Sequence, residues 1–161
     1  TGQQSSDQVT NRLEIVNTVG TVDSSGPVVD SIELTVRKAP GAGNIDIGAT
    51  SIQMVHSSGS FDLIYDGRND NNDDAGNPDD DDFTVSTVQD DDTSITDSQV
   101  LNDPADRATI TIDSADIVSG SPGGLDEGDT ATVRINTQSG GTSELRLVVP
   151  ETLSADSAVG L

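Results

Sequence analysis

The sequence predicts an all-β protein, an immunoglobulin-like β-sandwich or barrel of about eight short strands, and three observations carry that expectation. Valine and isoleucine together number 27 of 161 residues, whereas strong helix formers other than Ala and Leu are scarce. Apolar residues alternate with polar ones at period two, which buries one face of a strand and wets the other. Clusters of Gly, Pro, Ser and Asp break the apolar runs at intervals of about 8 to 15 residues, the rhythm of a sandwich or barrel.

The elements follow in order. Leu13 to Val22 is a β-branched run, and its Gly20 predicts a bulge or bend. Ser24-Ser25-Gly26-Pro27 is a turn. From Val28 to Ala39, Ile32, Leu34 and Val36 alternate with Glu33, Thr35 and Arg37, and Pro40-Gly41-Ala42-Gly43 closes the strand. Ile45 to Ile47 reads as a short strand or a tight connection. Ser51 to His56 and Phe61 to Tyr65 form a hairpin across Ser57-Ser58-Gly59-Ser60. Phe83 to Val88 and Ala108 to Asp113 come next, separated by a polar stretch with Pro104. Thr130 to Asn136 and Ser143 to Val149 join across Gln138-Ser139-Gly140-Gly141, and Pro150 stops the ladder because it has no amide proton. Helix is expected only at residues 3–12, as a linker covering 1–12, with the β domain over 13–161 and acidic loops at 66–82 and 89–106.

Charge narrows the function. The chain carries 29 Asp plus Glu against 7 Lys plus Arg, a net charge of −22, so nucleic acid and anionic lipid are excluded as direct partners. Of the acids 24 are Asp, and Lys38 is the only lysine. This is a halophilic bias: in 1 M salt the Debye length falls to about 3 Å and self-repulsion is screened. Residues 66–106 hold 14 Asp and only Arg68, a charge of −13, leaving −9 for the other 120 positions. Val, Ile, Leu and Phe total 38 of 161, enough for one thin core. With no Cys, disulfides, thiolate catalysis and Cys-based metal sites are excluded. No apolar stretch is long enough to span a membrane, and no Asn-x-Ser/Thr acceptor is present.

Few residues carry site chemistry. Hard oxygen ligands at alternating positions beside a glycine are what a calcium loop needs, and Asp70, Asn72 and Asp74 match the first three positions of such a loop. Its sixth position is Ala75, with Gly76 one place late, and its twelfth is Asp81 in place of Glu. The set Asp70, Asn72, Asp74 and Asp81 is the candidate site for Ca2+ or another divalent cation, against a solvated acidic loop holding no ion. His56 beside Ser57-Ser58 admits a Ser-His-Asp relay on composition, against a surface histidine at a hairpin shoulder. With one Tyr, two Phe and no Trp there is no platform for stacking sugars or bases, and the chain reads as a non-enzyme that requires no cofactor.

Two terminal blocks carry a family resemblance. Thr1-Gly2-Gln3-Gln4-Ser5-Ser6-Asp7-Gln8-Val9-Thr10-Asn11-Arg12-Leu13-Glu14-Ile15-Val16-Asn17-Thr18-Val19-Gly20 resembles the segment after the N-terminal hydrophobic helix of haloarchaeal archaellins, the subunits of the archaeal flagellar filament. Glu127 to Thr137 and Leu145 to Ser154 are similar to the C-terminal signature of that family. The resemblance implies an extracellular structural subunit that self-associates into a helical filament for swimming, and for surface adhesion, with other archaellins as further partners and no membrane contact once assembled. It also implies that an apolar assembly helix, exposed when a prepilin-type peptidase cuts a leader, precedes Thr1, so that 161 residues at −22 are an ectodomain. A type IV pilin-like or adhesion subunit and a secreted cation-binding β-sandwich module are the alternatives.

Overall fold

The structure, a computed structural model, describes residues 11–65, 82–153 and 157–161. Its strands are β1 (Leu13–Val22), β2 (Val28–Lys38), β3 (Ile45–Asp46), β4 (Ser51–His56), β5 (Gly59–Tyr65), β6 (Asp82–Gln89), β7 (Val100–Leu101), β8 (Arg107–Asp113), β9 (Leu125–Asp126), β10 (Thr130–Asn136), β11 (Thr142–Val148) and β12 (Ala158–Gly160). The all-β expectation holds. One curled sheet runs β11-β10-β4-β5-β6-β8-β2-β1-β12, with β9 also on β2, and β3 pairs β7 in a small separate sheet. Neighbours are antiparallel except β5 and β6, which run parallel at Ile64 opposite Asp82 and Tyr65 opposite Phe83.

Period two decides what the curl encloses. Ile32, Leu34 and Val36 of β2 and Ala108, Ile110 and Ile112 of β8 point inward from one half of the sheet. Ile52 and Met54 of β4 and Ala131, Val133 and Ile135 of β10 point inward from the other, and all share one buried cluster. Phe83 is buried at the seam, its ring 6.0 Å from that of Tyr65.

The strands left out of the sequence reading are β7, β9 and β12, each too short to show a period. Helix departs from expectation. Residues 3–10 lie outside the described residues, Asn11 and Arg12 are not helical, and helical turns occur elsewhere: a 3-10 turn at Ile47–Ala49, α1 at Ser94–Ser98 and α2 at Ser114–Ile117. Aspartate side chains that accept backbone amides hold these turns where no repeat predicts them. Asp113 Oδ1 accepts the amides of Ala115 and Asp116, and Asp90 Oδ2 accepts that of Ile95. The segment 89–106 thus carries both α1 and β7.

Gly20 is a second correction. The extra residues are Val16 on β1, Asp30 on β2 and Val88 on β6, where the registers shift, and Gly20 itself pairs regularly with Ile32. A Cβ on Gly20 would stand 2.8 Å from Val29 Cγ1 and 2.9 Å from Leu161 Cδ1, so the glycine serves close packing of the last residue onto β1.

Candidate functional site at the joined chain ends

The blocks that carried the resemblance meet in space. Asn11, where the chain enters the sheet, is clamped by two loops: Gly43 N–H donates to its Oδ1 at 2.9 Å, and Thr137 Oγ1 and Ser139 Oγ donate to its carbonyl at 2.6 and 3.3 Å. Ala39 N–H bonds the Arg12 carbonyl at 3.0 Å, and the Ser143 hydroxyl donates to the carbonyl of Leu13. Gly141 is required here, because a Cβ would lie 2.1 Å from the Asn11 carbonyl oxygen. These bonds tie β1 to β11 where no backbone ladder joins them.

The last strand completes the join. β12 pairs β1 at Val19 to Thr21, Val22 N–H donates to the Ser157 carbonyl at 3.0 Å, and Leu161 N–H to the Thr18 carbonyl at 3.3 Å. The C-terminal signature is locked to itself as well. Leu153 N–H reaches Glu127 Oε1 at 2.8 Å, Gly128 N–H the Pro150 carbonyl at 3.2 Å, and Val149 N–H the Asp129 carbonyl at 2.9 Å. Gly128 takes φ +77°, a conformation that favours glycine.

His56 belongs to this lock. Its side chain is only 6% exposed, and Nε2 lies 3.0 Å from Asp129 Oδ2. Ser58 N–H donates to Nδ1 at 3.2 Å, which makes Nδ1 the acceptor and places the ring proton on Nε2, facing the carboxylate. The Ser58 hydroxyl stands 2.8 Å from Nδ1, so the three residue types of the relay are together. Asp129 Oδ2 also accepts Asp126 N–H at 3.0 Å. The assembly therefore ties the β4–β5 turn to the turn before β10, beside an open pocket of about 460 Å³ lined by Val55, His56, Asp129 and Thr132 among others. Sequence reasoning had His56 and the serine but no route to Asp129, which is 73 positions away.

The expected cation ligands Asp70, Asn72, Asp74 and Asp81 all lie outside the described residues. Among the described residues no group of three or more His, Cys, Asp or Glu side chains is arranged to hold a metal, and no helix is long and apolar enough to cross a membrane. In 89–106 the carboxylates bond locally. Asp92 accepts Asn102 Nδ2 at 2.6 Å and Ser94 N–H at 3.1 Å, and those contacts, the Asn102 amide foremost, hold its carboxyl below the ordinary range. Buried Asp106 accepts the amides of Asn102 and Asp103, both at 2.9 Å. Glu14 is lowered chiefly by its hydrogen bond from Arg37 at 2.9 Å, and the same contact raises Arg37. Asp23 is lowered by the Ser25 amide.

A curled β domain in which the chain's entry at Asn11 is clamped to distant loops, β12 closes on β1, and buried or half-buried polar groups tie turns together has the build of a structural subunit. The model of the family described as archaeal-type flagellin matches residues 1–147. The chain is 37% identical to flagellin A2 of Haloferax volcanii, over 95% of this chain and 73% of that protein, and 35% identical to flagellin B2 of Halobacterium salinarum, over 100% and 75%. Its fold matches the crystal structure of archaeal flagellin FlaB1 from Methanocaldococcus jannaschii with a TM-score of 0.75 at 14% identity, covering 92% of this chain and 94% of that one. The chain belongs to the archaeal-type flagellin family. It is a structural subunit of the archaeal flagellum, the motility filament at the cell surface, and its aspartate-rich composition is that of a halophile's protein.

Proposed function

We propose that these 161 residues are the outer β domain of the subunit and act without catalysis, bearing load between filament core and surroundings. The observation that carries this reading is the clamp on Asn11 to Leu13, which fixes the sheet to the chain's entry point by bonds from three separate segments. Self-association into a helical filament then runs through an apolar helix N-terminal to the domain, and other archaellins serve as neighbours in mixed filaments. The test compares this domain with the same domain preceded by about twenty apolar residues, in 3 M salt. The domain alone should sediment as a monomer and the extended chain should form filaments; monomers in both cases would overturn the reading. Cells that keep swimming but lose surface attachment when the subunit is deleted would favour the adhesion alternative.

A divalent cation such as Ca2+ at Asp70, Asn72, Asp74 and Asp81 is a separate proposal that rests on the sequence pattern. Chelation in high salt should lower Tm, and the double substitution Asp70→Ala, Asp74→Ala should remove that response. A Tm indifferent to chelator would sink it.

A further inference from the structure

The outward face of β11-β10-β4-β5 is a part of the described surface that a second negatively charged copy can approach. Period two places Val55 of β4 opposite Thr132 of β10, which stands opposite Arg146 of β11. The next row is Asp62, Gln53, Arg134 and Glu144. The charged residues of this face are Arg134, Arg146, Asp62 and Glu144, which sum to zero on a chain whose total is −22. Three of the five large exposed apolar residues among the described residues lie here: Val55 at 44%, Ile64 at 67% and Val148 at 51%. Arg134 is paired with Glu144 at 2.8 Å, whereas Arg146 has no hydrogen bond or ion pair among the described residues.

We propose that this face docks onto a second copy of the chain, resting on the filament reading above. Val55, Ile64 and Val148 then lose contact with water, and Arg146 meets a carboxylate of the neighbour. The physical reason is repulsion. Two like-charged surfaces in contact cost free energy even in salt, so apposition is favoured where the local charge cancels and apolar area can be buried. On the filament reading the pairing is heterologous, this face of one copy meeting a carboxylate-bearing surface of the next. Heterologous contacts that do not close on themselves generate open helical arrays.

The chain has no cysteine, so a single introduced thiol reports cleanly. Filaments of full-length subunits carrying Val55→Cys should react with a soluble thiol reagent about tenfold or more slowly than the same subunits dissociated, as burial in a water-excluded contact requires. Equal rates in intact filaments would overturn the proposal while leaving the filament reading standing, because filaments are seen independently by electron microscopy. Should Val55→Cys fail to assemble, Val148→Cys gives the same readout. As a second measurement, Arg146→Glu should reduce filament yield severalfold and Arg146→Lys should preserve it; equal yields would overturn the role of the charge.

Discussion

Single residues decide the join between the ends. Gly141→Ala would drive a Cβ to 2.1 Å from the Asn11 carbonyl oxygen, a backbone contact that cannot yield by a rotamer change. Its cost is about 1–3 kcal/mol, read as a lowered midpoint in urea. Asp129→Ala removes the carboxylate that accepts from His56 Nε2, whose side chain is 6% exposed, and from Asp126 N–H. A buried donor left unpaired costs about 1–3 kcal/mol, so this variant should melt earlier while Ser58→Ala, on the exposed side of the ring, changes little. Glu14 gives a pH test. Its folded pKa lies below the ordinary 4.5, so its stabilising contribution is present above that value and is lost as pH falls through the folded pKa. Glu14→Gln should therefore be less stable than the parent at pH 7, and the difference should vanish once the pH has fallen below the folded pKa of Glu14. A difference that persists in acid would show that its origin is not the Arg37 pair.

At the scale of elements, alternation made the long strands legible. Ile32, Leu34 and Val36 place β2 and its buried face from sequence, and Ile110→Ala on the facing β8 should cost about 2–5 kcal/mol as a core truncation. The shortest strands were not legible, because two or three residues show no period and form only where a partner is already placed. Gly20 misled for a related reason: a glycine required by packing against Val29 and Leu161 reads in one dimension like a glycine required by a bulge. The three bulges fall on Val16, Asp30 and Val88, ordinary residues whose only peculiarity is an extra position against the partner strand. α2 is held by an aspartate cap, and Asp113 could have been read as one, being an acid followed by Ser114 and Ala115.

For the whole molecule, the net charge of −22 predicts salt dependence. Between 0.2 and 3 M salt Tm should rise steeply, because the Debye length shrinks from about 7 Å to below about 3 Å and carboxylate repulsion is screened. An unchanged midpoint would remove the halophilic interpretation. The same argument reaches assembly, since contacts among copies form where charge cancels locally, and the four-stranded outer face is such a place.

Composition and period by themselves determined the all-β class, the inward face of β2, the halophilic charge and, through the two end blocks, the family. These are properties of near neighbours along the chain or of sums over it, and a one-dimensional string states them completely. The tertiary structure decided the curl that brings Asn11 against Thr137 and Gly141, the meeting of His56 with Asp129, and the cancellation of charge across the face bearing Arg146. Each depends on strand order and register, and those are chosen by how distant faces pack together, information that no local pattern contains.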